Sequence, residues 1–395
     1  MSNRRCKNFI DTYMLYTQQS EPPSSYHRWS AMSMIAAAAR RQVWVDMGFN
    51  KTYPNMYVVL IGPPGKCRKT TAINLAVGLL DGIDEISTSP STSTWQYLIQ
   101  CVKDAEVKTS ILLDGQEKEY IHDSLTIISK ELSTFLGQND NELLAALTDL
   151  YDCHNKWDKG TKTAGVDDLI NVWLNLLAAS TPDWLVGSIG DTAIAGGFTS
   201  RVVFVVESDV RHKVARYRLT DEEREAEADL RHDIKEIAKC RGEYLLTDDA
   251  DKFFIDWYEG DKHSPLTSDR RFAGYHERKH IHLIKVATIL ALADGSPNII
   301  DEIHLRLGLD MLSEIEPKMV NAFGYSGRSE LAADLGLIEE TLKLAKTLSK
   351  VELTHLVCMD VDIRRLEDVI ATLHLIGKVE IGSDDTKGIV YTYTG

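Results

Sequence analysis

Residues 57–80 read Tyr-Val-Val-Leu-Ile-Gly-Pro-Pro-Gly-Lys-Cys-Arg-Lys-Thr-Thr-Ala-Ile-Asn-Leu-Ala-Val-Gly-Leu-Leu. The opening run Tyr57-Val58-Val59-Leu60-Ile61 is apolar without alternation, as a strand buried on both faces of a parallel sheet should be. Gly62-Pro63-Pro64-Gly65 breaks it, and from Lys69 onward the residues suit a helix. Strand, glycine loop and helix in that order form a phosphate-binding unit whose usual pattern is G-x-x-x-x-G-K-[ST]. This loop departs from the pattern: Arg68 stands where a glycine is expected, Gly62 lies one residue too far upstream, and the second glycine is Gly65.

The chemistry survives that change. The loop must turn from strand to helix while aiming backbone N–H groups at phosphate oxygens, and the helix N-terminus adds its partial positive charge. Gly62, Pro63, Pro64, Gly65, Lys66, Cys67, Arg68, Lys69, Thr70 and Thr71 are therefore expected to line an ATP site. Lys69 is expected on the β- and γ-phosphates and Thr70 on Mg²⁺. A plain glycine-proline turn is the bland alternative, and the strand–loop–helix context favours the phosphate reading. Lys66 and Arg68 either touch phosphate or are simply solvated.

Downstream, Leu125-Thr126-Ile127-Ile128 reads as a second core strand and is followed by Ser129-Lys130-Glu131. An apolar strand ending in an acid is the second half of such a site, with Glu131 expected to polarise the attacking water. The customary metal-binding aspartate before it is missing, with Ser129 and Lys130 in its place. Glu131 opening a surface helix is the alternative. The run Val172 to Ala179 ends in Ser180-Thr181-Pro182-Asp183, where Ser180, Thr181 or Asn175 is a candidate γ-phosphate sensor; helix capping is the competing role. Gly196-Gly197-Phe198-Thr199-Ser200-Arg201 precedes a fourth strand, Val202 to Val206. Arg201 is a candidate catalytic arginine offered to a neighbouring subunit, or else a structural ion-pair partner.

Working outward, strand and helix signals alternate over residues 55–208, which predicts an α/β fold with a mainly parallel sheet covered on both faces. Ile111 to Ile121, around Asp114-Gly115, suggests a hairpin. Residues 1–54 read as a helical region, residues 209–325 as a helical domain, and residues 326–395 as a winged helix of three helices and a hairpin turning at Gly382-Ser383-Asp384-Asp385.

Composition sets limits. The chain has 395 residues and a formal charge of −15, which gives no support to nucleic-acid binding over the whole surface. An acidic ring with a basic channel remains compatible with that charge. Its six cysteines include no C-x-x-C pair, against a disulfide framework or zinc site and in keeping with a reducing cytosol. No apolar run reaches the roughly 18 to 20 residues of a membrane helix, and no secretory signal is read at the N-terminus. A cytoplasmic protein is expected.

With these residues in view, the chain from Phe9 to Arg201 resembles the phage and mobile-element RecA-like ATPase domains of primase–helicase proteins. The resemblance is carried by Val59 to Gly65, Arg68-Lys69-Thr70, Ile128 to Leu132, Leu150-Tyr151-Asp152 with Trp157, Ser180-Thr181-Pro182 and Gly197 to Arg201. The part around Tyr275, Arg278, His282 and Ala287 is also similar. The resemblance implies a ring-forming motor, usually a hexamer, acting on DNA in phage-type replication. The short stretch before Gly62 leaves no room for a primase domain, so a helicase subunit or a loader is expected. Candidate DNA loops are the Asp114-Gly115 hairpin and Asn155 to Lys162, where Trp157 lies between lysines; an exposed loop anchored by the Trp is the alternative. The C-terminal module holds seven Lys/Arg against eleven Asp/Glu over residues 331–395, a net of −4, so it serves DNA or a protein partner.

Overall fold

A computed structural model describes residues 3–90, 94–113, 116–136, 141–161, 165–188, 197–260, 270–323, 330–358, 361, 363–384 and 387–395. They form two units, Met1–Ala322 and Phe323–Gly395. The boundaries read from sequence at 54/55 and 208/209 do not separate compact units; both lie inside the first.

In chain order the first unit begins with α1 (Phe9–Tyr16), α2 (Ser24–Ala39), β1 (Val43–Asp46) and β2 (Lys51–Thr52). Next come β3 (Tyr57–Ile61), α3 (Lys69–Val77), α4 (Trp95–Asp104), β4 (Glu106–Leu113) and β5 (Gln116–Ser129). After α5 (Leu132–Leu136) and α6 (Asn141–Leu150) lie β6 (Lys156–Thr161), β7 (Gly165–Ile170), β8 (Trp173–Ser180), α7 (Pro182–Ser188) and β9 (Val202–Val206). The helices α8 (Asp221–Ile237), α9 (Asp248–Tyr258), α10 (Ala273–Asp294) and α11 (Glu302–Met319) follow, with short strands β10 (Gly242–Glu243), β11 (Leu245–Leu246) and β12 (Ile299–Ile300) among them.

A five-stranded sheet of order β4-β5-β8-β3-β9 organises this unit. β3 is parallel to both β8 and β9, and β5 is parallel to β8. Only β4 runs antiparallel, as the hairpin partner of β5. The fold is thus α/β with a mainly parallel sheet. All residues of β3, β8 and β9 are buried, which is why those runs lack alternation. The hairpin strand and the second core strand, separate in the sequence reading, are one strand of 14 residues. Asp114 and Gly115 lie outside the described residues, as do Lys162 and Gly196.

Helix α2 explains why the N-terminal region joins this core. Fourteen of its 16 residues are buried, so it has no polar face to offer solvent. Its Ser33 carbonyl and hydroxyl oxygens both accept from the Asn175 side chain at 3.1 Å. Asn175 in turn accepts from the Met56 N–H at 3.0 Å, tying β8 to the start of β3. It is a core clamp far from the strand tip, where the sensor reading would need it.

The second unit comprises α12 (Glu330–Ala345), β13 (Thr347–Ser349), α13 (Lys350–Val357), α14 (Ile363–Leu375), β14 (Val379–Asp384) and β15 (Gly388–Tyr393). Its three strands pair in the order β13-β15-β14. Ile338, Leu342, Leu353, Val369, Leu373 and Tyr391 share its core. The spacing of Glu339 to Leu348 predicts a helix running through Leu348. Instead α12 stops as Lys346 takes a left-handed φ of 67°, and Leu348 pairs with Tyr391 in the sheet. The hairpin strand also runs on through Gly382 and Ser383 to Asp384, beyond the expected start of the turn. The 325–329 linker, Asp360 and Asp385 lie outside the described residues.

Candidate nucleotide site at the carboxyl edge of the sheet

The register aligns the strand ends. Ile61 pairs with Ser180 on one side and Val206 on the other, while Ser129 pairs with Ala178. The Gly62 N–H donates to the Ser180 carbonyl at 3.4 Å, and Glu131 follows two residues after β5 ends at Ser129. β8 lies between β5 and β3, so with strands about 4.8 Å apart those two strand ends are on the order of 10 Å from each other. The expected loop, acid and sensor residues therefore share one edge. Crevices outside the carboxyl ends of parallel strands are where open α/β sheets bind ligands.

The loop is shaped for close approach by a ligand. A Cβ on Gly62 would meet the Glu207 carbonyl oxygen at 2.7 Å and the Cys67 sulfur and Tyr26 hydroxyl at 2.8 Å, so only glycine fits. Gly65 has φ +70° with open space where a Cβ would be. Arg68, at the position of the missing glycine, takes the left-handed backbone itself, at φ 53° and ψ 36°. It precedes α3 without a side-chain cap, so the Lys69 and Thr70 amides have no intrahelical partner.

Lys69 folds back over the loop. Its Nζ donates to the Gly62 carbonyl and, at 3.2 Å, to the Pro63 carbonyl. Burial lowers its pKa against a smaller opposing effect of Cys67, and among the described residues no carboxylate pairs with it. The ammonium is thus held at the mouth of the loop by neutral oxygens, which an anionic oxygen would outcompete. Thr70 is exposed on the first turn of α3, and Thr71 is half-buried beside it.

The flanking contacts were not visible in the sequence. Arg68 donates from Nε to Glu21 at 2.7 Å and from Nη1 to the Gly65 carbonyl at 3.0 Å, so its guanidinium braces the loop. Glu21 also accepts from the Val214 N–H at 3.1 Å, and Arg68 holds its carboxyl below the usual range. The buried Cys67 donates to the Glu207 carbonyl at 3.2 Å, and burial pushes its thiol up. Tyr26 donates to the Ile61 carbonyl, and Ser25 to the Glu207 carboxylate at 2.7 Å. A signal for Glu207 existed: it is the first residue after the Val202–Val206 run. Lys66, Arg68 and Lys213 line a cavity of about 630 Å³ beside the loop, together with Glu21 and Asp209.

Glu131 is exposed just ahead of α5, and its carbonyl accepts from the buried Ser129 hydroxyl at 2.9 Å. Ser180 is buried at the strand tip and donates to the Thr181 carbonyl at 3.3 Å. The Thr181 hydroxyl accepts from the Trp184 N–H at 3.4 Å, as a cap of α7 would. Trp157 donates to Asp149 at 2.7 Å and packs edge-on against Trp95, the behaviour of an anchor.

Arg201 is not part of this edge. It precedes β9, at the amino ends of the parallel strands, and a five-residue strand separates it from the loop by about 16 Å. It is buried, donating to Asp152 at 2.5 Å and to the Gly197 carbonyl at 3.1 Å. Arg278 reaches the same Asp152 at 3.2 Å. Burial opposes the Asp152 charge, but the two arginines outweigh it and hold the carboxyl below its ordinary range.

No cluster of three or more His, Cys, Asp or Glu side chains suited to a metal exists among the described residues. No helix among them is long and apolar enough to cross a membrane. Comparison with known proteins found no matching family model and no matching curated protein.

Proposed function

We propose that the first unit is a P-loop ATPase core that hydrolyses ATP to drive work on nucleic acid, as a ring-forming helicase or translocase would. The observation that carries the reading is the start of α3. Uncapped amides, a glycine pressed against its neighbours and a lysine bonded only to neutral carbonyls converge at the carboxyl ends of parallel strands.

These residues fit ATP. The loop amides and Lys69 would hold the phosphates, and the edge beside Glu21 and Lys213 has room for the rest of the nucleotide. Mg²⁺ would supply charge neutralisation between the phosphates. Thr70 offers it one oxygen, in keeping with a cation that takes few protein ligands and keeps its waters. Glu131 would orient the water and accept its proton, and Ser180 would feel the terminal phosphate. Arg201 could serve only a neighbouring copy, after leaving Asp152.

The second unit fits a winged helix. Its lysines and arginines are largely tied down: Lys378 to Glu339 at 2.5 Å, Lys387 to Glu352 at 3.4 Å and Arg365 to Asp334 at 3.4 Å. Leu344 and Leu375 are more than four-fifths exposed. Paired cations and bare leucines favour a protein partner for this unit, and hence a second reading: an ATP-switched loader or assembly ATPase. Hydrolysis measured with and without single-stranded DNA separates the two. Stimulation supports the motor; indifference to DNA supports the loader.

A further inference from the structure

The opposite, amino-terminal edge of the sheet carries a cavity of about 640 Å³, within the range of ligand sites. Its lining includes Arg41, Lys51, Arg278 and Lys285 against a single carboxylate, Asp152. In a chain of net charge −15 this is a marked local reversal. Arg278 and Lys285 are seven residues apart on α10, so one helix face delivers both.

Two of these charges have no ion-pair partner. Arg41 is fully buried and donates only to neutral oxygens: the Cys153, His154 and Val172 carbonyls, the Asn155 side chain and the Tyr120 hydroxyl. Lys285 is buried on the Tyr53 carbonyl and the Asn55 side-chain oxygen, its ammonium 4.4 Å from the centre of the Tyr151 ring. Among the described residues no carboxylate pairs with either. Asp152 is already shared by Arg201 and Arg278. Low-dielectric walls bearing one sign of charge focus potential into the cavity and attract the opposite sign.

An aromatic stands at the mouth. Phe49 lines the cavity and is wholly exposed, at 102% of its reference area. Its turn is fixed: the Met47 N–H donates to the Asn50 carbonyl at 3.0 Å, and the Gly48 N–H to the Asp46 carboxylate at 2.8 Å. Gly48 has φ +89°, which favours glycine. Val43, Trp44 and Val45 anchor the hairpin in the core.

We propose that this cavity and the β1–β2 turn hold single-stranded nucleic acid, with a base stacked on Phe49 and phosphates against Lys51 and Arg278. Arg41 and Lys285 supply the potential from behind. A positive groove with an aromatic platform is the arrangement that binds single strands without reading sequence, and a base must be unpaired to lie on the ring. The inference rests on the reading that the chain works on nucleic acid, and it places the strand on the edge of the sheet opposite the nucleotide.

The test is anisotropy of a fluorescein-labelled oligothymidylate with the full chain, alongside Phe49→Ala, Phe49→Trp and Arg278→Gln. Phe49→Ala is expected to bind about tenfold more weakly and Phe49→Trp to retain affinity. Arg278→Gln should reduce the slope of log affinity against log salt by about 0.7. Because the Phe49 side chain is wholly exposed, its loss leaves the fold intact. Phe49→Ala binding as tightly as wild type overturns the inference, while DNA-stimulated hydrolysis by wild type would still uphold the motor. Failure of wild type both to bind the oligomer and to be stimulated by it overturns inference and motor together.

Discussion

The two edges of the central sheet are built on opposite principles. At the carboxyl edge the working groups are backbone: amides of an uncapped helix, a glycine that admits no Cβ, and a lysine resting on carbonyls. At the amino edge they are side chains locked together, with Asp152 between Arg201 and Arg278 and Lys285 buried beside them. A backbone cradle exchanges partners at little structural cost. A buried ion network does not, because removing one member strands a charge in a poorly solvated place. The first edge is suited to a ligand that comes and goes. The second doubles as a brace for the fold.

That contrast can be broken by mutation. The largest expected effect is on rate at the carboxyl edge. Glu131→Gln should cut ATP hydrolysis by about 10²- to 10⁴-fold while leaving ATP binding and thermal stability near wild type. Unchanged turnover would remove Glu131 from the site. At the amino edge the same kind of change should appear as stability. Arg201→Ala is expected to lower unfolding free energy by about 2 kcal/mol, the loss of a charged hydrogen bond with Asp152 still held by Arg278, read by urea denaturation. A variant of full stability that no longer hydrolyses ATP would instead make Arg201 a catalytic group for a neighbouring copy.

A subtler difference lies in pH. Burial brings the Lys285 pKa from 10.5 down to about 8. Between those values the unfolded chain binds the extra proton, so the contribution to stability rises with pH from about 8 to about 10.5. Lys285→Met should be more stable than wild type at pH 7 on this account, by about 3 kcal/mol, and the advantage should vanish by pH 11. A difference that does not change with pH would mean that burial does not lower the Lys285 pKa.

How much was legible follows the same division. The core strands and the turn after β3 were readable because a strand buried on both faces is a continuous apolar run and a tight turn at its end draws glycine. Register then follows from the parallel sheet, which brought Gly62, Glu131 and Ser180 to one edge. The flanks were not readable. Glu21 meets Arg68 across 47 residues and Ser25 meets Glu207 across 182, and no local periodicity encodes such pairs. Arg201 was legible as a functional type of residue, but its position at the far edge depends on where β9 begins. The β13 strand was hidden because Leu348 continues a helical pattern until the backbone of Lys346 breaks it.

The most direct measurement is equilibrium binding of ATP, with Mg²⁺ present, to wild type and to Lys69→Ala. Wild type is expected to bind saturably and Lys69→Ala about 100-fold more weakly, from the loss of a charged hydrogen-bond donor worth up to about 3 kcal/mol, at an unchanged melting temperature. Equal affinity in the two proteins, or no binding by wild type, would contradict that expectation.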